Sequence, residues 1–275
     1  MSQHGGGPNP EPVPSASVQG GQWYQVTADL DLYDRPLHTP HPDRLATQAA
    51  IDRYLQITGP LQDHCWPVQL LEDGYQAWLR AADCITAVES RPSADTPGPA
   101  NRPTLQPIDP PPPPPPPVDP AQLPDIIRSA IAWSHAAAQV PNRYRWGGTV
   151  APHYDCSGLM QAAFAQAGLW LPRDAYQQEA FLQPLPWSAH WDPLWQQWQA
   201  GDLVFFGPPE KATHVGLYLG EGRYLHSSGQ AIGRNGIGID CLDPAAGPVS
   251  RAYFEQLRGA GRITRSCQPV PAPSQ

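Results

Sequence analysis

Residues 110–117 are eight consecutive prolines. Proline locks φ and has no backbone N–H, so such a run joins neither a sheet nor a helix interior. It forms a polyproline II rod, roughly 25 Å long at ~3.1 Å per residue. The run therefore reads as a spacer between two segments of the 275-residue chain. The surrounding stretch, 91–123, is also rich in proline and reads as a stiff spacer; a ligand for an aromatic-grooved partner is the second use of such a rod. Residues 1–20 are rich in Gly, Pro and Ser and read as a disordered N-terminus, and 268–275 as a disordered tail. The two folding segments are then 21–90 and 124–267.

The first segment has short, β-like patterning. "WYQVTADLDLY" alternates, and "CWPVQLLEDGYQAWLRAADC" reads as strand, turn, strand about "EDGY". A small β-barrel fits a segment of this length. The second segment begins helical. Ile127, Ala130, Ile131, Ser134 and Ala137 fall near one face, with Pro124 and Asp125 as start signals. A second helix runs from Asp155 as N-cap to about Ala167, with Gly168 as its stop and Leu159, Met160, Ala163, Phe164 and Ala167 as its core stripe. "DLVFFG", "HVGLYLGEGRYLHSS", "GIGIDCL" and "GRITR" read as strands and "VSRAYFEQL" as a short helix, so the segment is α+β.

A formal charge of −8 argues against a nucleic-acid partner, which would need a basic stripe. The first residues contain neither the basic nor the apolar run of a secretory signal, and no stretch approaches the ~20 apolar residues of a membrane span. The expectation is a cytoplasmic chain without a membrane partner. The cysteines at 65, 84, 156, 241 and 267 are odd in number and scattered, and read as free thiols.

Cys156 stands apart, in "YDCSGLMQAAFAQAGLWLPRD". At the first turn of a helix, a thiol meets the positive end of the dipole and unpaired N–H groups, which favour thiolate. A nucleophilic cysteine needs a base. "GEG" about Glu221 turns a hairpin that carries His214 and His226. With a pairing sum of 440 the two histidines face each other; with 442, His214 faces Ser228 and His226 is a diagonal neighbour. Either register places both rings on one sheet face, so one imidazole can serve the thiol while the other orients it.

In order, "YRWGG", "YDCSGL", "LPRD", "GDLVFFG", "HVGLYLG" and "YLHSSG" resemble the NlpC family of papain-like cysteine peptidases, which cut bacterial cell-wall peptides. The resemblance covers about residues 125–265. The interval from Cys156 to His214 is 214 − 156 = 58 residues, long for the family, and an enlarged loop around "QPLPWSAHWDPLWQQWQAG" accommodates it. The stretches "LATQAAIDRYLQIT" and "WPVQLLEDGYQAWLRAAD" resemble a bacterial SH3-like barrel. The combination resembles the γ-D-glutamyl-L-diamino-acid endopeptidases of muropeptide recycling, in which the barrel walls off the groove and selects short stem peptides with a free N-terminal L-alanine. The resemblance implies a Cys156–His214–His226 triad, no cofactor and no metal. It also implies a substrate pocket formed by Tyr144, Trp146, Asp155, Ser157 and Asp174, with Tyr75 reaching in from the barrel. Its substrate would be L-Ala-γ-D-Glu-diamino-acid peptide.

Other readings stand beside these. Asp155 and Asp174 can be plain helix caps, and Arg173 the partner of a carboxylate. Cys156, His214 and His226 also make a chemically sensible zinc set. A wall-remodelling endopeptidase and a binding module without catalysis use the same residues. "GRNGIGID" follows no strand and opens no helix, so a dinucleotide site is a poor reading of its glycines.

Overall fold

The computed structural model describes residue 18 and residues 20–84, 104–110, 112–187 and 197–268. Expectations for most of the N-terminus, for 85–103, for 269–275 and for the middle of the Trp-rich loop concern chain outside those residues.

The N-terminal segment forms one antiparallel sheet. Its strands are β1 (Trp23–Val26), β2 (Leu30–Tyr33), β3 (Leu45–Ala49), β4 (Tyr54–Ile57), β5 (Cys65–Leu70), β6 (Gln76–Arg80) and β7 (Leu105–Ile108), in the order β3-β2-β6-β5-β4-β1-β7. Alternation decides which side chains turn inward: Tyr24 and Val26, Leu30 and Leu32, Leu55 and Ile57 are buried in one cluster with Val68, Leu70 and Leu79. The "EDGY" turn joins β5 to β6, and Gly74 supplies its positive φ of 69°.

Strand β7 lies inside the stretch read as spacer. It pairs with β1 along Trp23–Val26, and Leu105 is fully buried. Its proline, Pro107, is compatible with a ladder because β7 is an edge strand, where one side needs no donors. On the far side of the proline run, Val118 and Leu123 pack on the C-terminal core, so the spacer is fastened at both ends.

The C-terminal segment has helices α1 (Leu123–Gln139), α2 (Cys156–Ala165), α3 (Ala175–Phe181) and α4 (Pro248–Phe254). A two-stranded ribbon, β8 (Thr149–Val150) with β9 (His153–Tyr154), leads into α2. The main sheet holds β10 (Gln183–Pro184), β11 (Leu203–Phe206), β12 (His214–Gly220), β13 (Arg223–Ser228), β14 (Gly236–Cys241) and β15 (Leu257–Arg262), ordered β10-β15-β11-β12-β13-β14 and antiparallel throughout. The architecture is α+β, as read from the pattern. Leu159, Met160, Ala163 and Phe164 are wholly buried between α2 and the sheet. On α1 the buried line is Ile126, Ala130 and Ser134, with Ile127 and Ile131 at its margin. Helix α2 stops at Ala165, slightly short of expectation, and Gly168 takes the left-handed turn after it. Strand β15 begins earlier than "GRITR", because its small residues Gly259, Ala260 and Gly261 lie flat beside β11. No described helix is long and apolar enough to cross a membrane.

The two segments meet through directional polar bonds. Gln48 Oε1 accepts the Thr149 and Val150 N–H groups, Arg145 pairs with Asp31 at 2.7 Å, and Gln161 donates to Asp73 at 2.7 Å. Arg53, ion-paired with Glu72 and Asp73, lies over the Trp170 ring at 4.7 Å. Gly147, in "YRWGG", has φ of 72° and sits so close to Leu45 that a Cβ would collide with the Leu45 carbonyl. That glycine is required because strand β3 presses on the loop there.

Candidate active site

Asp155 caps α2: its backbone is extended, and its Oδ1 accepts the Gly158 N–H at 2.6 Å. The cap leaves Cys156 as the first helical residue, beside β12. Its Sγ faces the backbone N–H groups of Val215 and Ser157. Helix start and strand start thus converge on the thiol.

The hairpin takes the register with pairing sum 442 (Leu217↔Leu225, Tyr218↔Tyr224), and Gly220, Glu221 and Gly222 all have positive φ in its turn. His214 and His226 are diagonal neighbours whose Nε2 and Nδ1 lie 2.7 Å apart. The Tyr253 ring stacks on His214 at 4.3 Å. Behind His226, its Nε2 lies 2.8 Å from Asp240 Oδ2, and Asp240 is in turn held by Arg234.

Burial decides the charge states. It pushes the Cys156 thiol up to about 12, with the Asp155 carboxylate adding to the effect; the N–H groups of Val215 and Ser157 and the Arg173 cation oppose it. Desolvation thus acts against the thiolate that the helix terminus favours. Burial and neighbouring His226 hold His214 well below its ordinary value. Burial also lowers His226, against the pull of Asp240.

Among the described residues, no group of three His, Cys, Asp or Glu side chains has metal-holding geometry. His214 and His226 point ring nitrogens at each other rather than at a shared point, which disfavours the zinc reading.

The model of the NlpC/P60 family matches residues 141–256, and that of the bacterial dipeptidyl-peptidase Sh3 domain matches 37–83. The matched C-terminal region is an NlpC/P60 domain. Preceded by its SH3-like partner, it is similar to the bifunctional muramidase/DL-endopeptidase CwlT of Bacillus subtilis, with 40% identity over 32% of this chain and 26% of that protein. It is also similar to the murein DD-endopeptidase MepS/murein LD-carboxypeptidase of Escherichia coli, with 37% identity over 31% of this chain and 42% of that protein. The matched part thus spans about a quarter to two fifths of these curated relatives. An NlpC/P60 family protein from Bacillus cereus superposes over 89% of this chain and 64% of its own, with 20% identity and a TM-score of 0.42.

In this NlpC/P60 domain, Cys156 opens into a cavity of about 360 Å³ also lined by Tyr144, Trp146, Asp155, Ser157 and Asp174. Tyr75 enters from the SH3-like segment, its hydroxyl 3.4 Å from Asp174 Oδ2. The structure therefore gathers the six substrate-pocket residues around Cys156 in one cavity, while His214 adjoins Val215, whose N–H faces the thiol, and His226 lies behind His214. Both capping assignments also hold geometrically: Asp155 caps α2, and Asp174 forms a capping box with Gln177 on α3. Burial raises the Asp174 carboxyl, with Arg173 opposing.

Arg173 takes the carboxylate partner expected of it and more, and three further residues of the site carry no motif in the sequence. Arg173, 1% exposed, bonds both Asp155 oxygens, at 2.6 and 3.2 Å, the Ser157 hydroxyl at 3.0 Å and, across the segments, Thr47 Oγ1 at 2.9 Å. Its pairing with a carboxylate was an open reading; its reach to Thr47 depends on where β3 packs. Asp240, Arg234 and Tyr253 carried no motif. The one available signal was the alternation of "GIGID", which sets Gly238 and Asp240 on one face of a strand.

Proposed function

We propose that the protein is a cysteine endopeptidase that cleaves the γ-D-glutamyl–diamino-acid bond of short peptidoglycan stem peptides bearing a free N-terminal L-alanine. One observation carries the reading: the cavity that holds Cys156 is walled on one side by the SH3-like segment, and that wall sets Tyr75 against the Asp174 carboxylate. The cluster of Asp155, Asp174 and Arg173 holds two carboxylates against one guanidinium. One negative charge remains, which suits the ammonium of a peptide N-terminus. The endopeptidase names of the relatives agree with the reaction class.

In this mechanism the Cys156 thiol attacks the glutamyl carbonyl carbon while its proton passes to His214. The Cys156 N–H, at the open end of α2, stabilises the developing oxyanion, with the Tyr144 hydroxyl as a second donor. Burial, with the neighbouring Asp155 carboxylate, keeps that tyrosine protonated. Imidazolium His214 then protonates the leaving amine as the C–N bond breaks, giving a thioester. Water, deprotonated by His214, releases the free carboxylate and the thiol.

The recycling reading includes a cytoplasmic location, which the five free cysteines support. Two substrates test the whole: free L-Ala-γ-D-Glu-diaminopimelate and intact sacculi. Rapid cleavage of the tripeptide and little release from sacculi is expected. The reverse preference would establish a wall-remodelling enzyme instead. Binding without cleavage of either would establish a binding module.

A further inference from the structure

Behind the two histidines lies a half-buried ion pair, Arg234 with Asp240, that takes no part in the bond-making and bond-breaking steps. We propose that Asp240, held by Arg234, is a positioning residue that sets the tautomers of both histidines and leaves His214 Nδ1 bare to receive the Cys156 proton. This inference rests on the reading of Cys156 and His214 as nucleophile and base.

The chain of hydrogen bonds permits one sense. Arg234 donates from Nε to Asp240 Oδ2 at 2.9 Å and from its terminal nitrogen to Oδ1 at 2.7 Å. Burial alone would raise Asp240, but the bonds from His226 and Arg234 outweigh it and leave the carboxyl below its ordinary value. An ionised carboxylate only accepts, so His226 Nε2, at 2.8 Å, carries the hydrogen. Neutral His226 then has a bare Nδ1. Its neighbour at 2.7 Å, His214 Nε2, must be the donor. Neutral His214 is left with a bare Nδ1. The opposite sense would set two acceptors face to face between His226 and Asp240.

The surroundings enforce the arrangement. His226 is wholly buried, with Tyr224 from its own strand and Tyr253 from α4 each 4.9 Å from its ring. Besides those phenols, the titratable and charged groups around it are His214, Asp240 and, through Asp240, Arg234. Gly238 lies opposite His226 across β13 and β14. A Cβ at Gly238 would collide with the Arg234 guanidinium, so the glycine makes room for the arginine that orients Asp240. That gives Gly238, one of the three glycines of "GRNGIGID", a structural purpose.

The deciding measurement uses ¹⁵N-histidine-labelled full-length protein at neutral pH. Both His214 and His226 are expected as Nε2–H tautomers; an Nδ1–H form dominant at either would overturn the proposal without any variant. In D240N the amide must oppose a donor either to His226 or to Arg234, so mixed tautomers are expected. Its kcat/KM on L-Ala-γ-D-Glu-diaminopimelate should fall about 10- to 100-fold, with partial recovery in D240E. The alkylation of Cys156 by iodoacetamide, followed peptide by peptide against pH, should shift in D240N. Unchanged tautomers and kcat/KM within twofold of the parent would refute the role. Cys156→Ala separates the two readings: persistent cleavage there defeats the nucleophile assignment, while the NMR result still judges Asp240.

Discussion

Replacing Arg173 by Met tests how the site and the SH3-like wall are held together. The guanidinium makes four bonds, three of them to Asp155 and Ser157 and one to Thr47, with almost no solvent access. Methionine keeps most of the stem but leaves the Asp155 carboxylate, 6% exposed, with only the Gly158 N–H and the Ser157 hydroxyl. Removing one partner of a buried pair costs about 3–5 kcal/mol. At about 2–4 °C per kcal/mol for a chain of this size class, Tm should fall by roughly 6–20 °C. The double variant Asp155→Ser/Arg173→Met removes both charges and retains a capping hydroxyl, so it should recover at least about 2 kcal/mol of the loss. Urea and thermal unfolding followed by far-UV circular dichroism measure both. A single variant within about 1 kcal/mol of the parent, or a double variant no better than the single, would refute the reasoning.

The pH dependence follows from burial of the thiol and imidazole. His214 serves as base only when neutral, so kcat/KM should hold its plateau well below pH 6.5 and fall only as pH drops through the depressed His214 value; an acid limb at or above 6.5 would contradict this. For stability the sign is the same: His214 and His226 bind protons more weakly folded than unfolded, so their contribution is present above about pH 6.5 and is lost as pH falls below it. Alkylation of Cys156 should rise towards a midpoint of about 12, and a flat plateau between pH 5 and 8 would show a preformed thiolate instead. Asp174→Asn should cut kcat/KM for the free-amine tripeptide by roughly 10- to 100-fold, the worth of one charge-assisted bond, while leaving an N-acetylated substrate little changed. Gly147→Ala should destabilise by at least about 1 kcal/mol, since it adds a left-handed penalty to the clash with Leu45; unfolding titrations check it.

Local signals were legible wherever the physics is local. An extended Asp before a helix caps it whatever surrounds it, so Asp155 and the place of Cys156 at N1 could be read directly. Glycines at 220 and 222 turn a hairpin by their own conformational freedom, so both histidines could be set on one face. Which register they adopted could not be read, because a two-residue change in pairing sum keeps both on that face and only side-chain packing across β12 and β13 chooses.

The proline run by itself marked a break between two stretches of chain, since no regular ladder can pass through it. The tertiary structure decided the rest. Leu105–Ile108 became a strand because β1 offered an open edge. The Cys156 thiol became harder to ionise because α2 is buried against β12, and burial depends on what packs above a helix start. Asp240 and Arg173 gained their partners from strands and segments distant in the chain. Desolvation and long-range hydrogen bonds depend on neighbours that no stretch of sequence specifies alone, and these push the Cys156 thiol up and the His214 imidazole down.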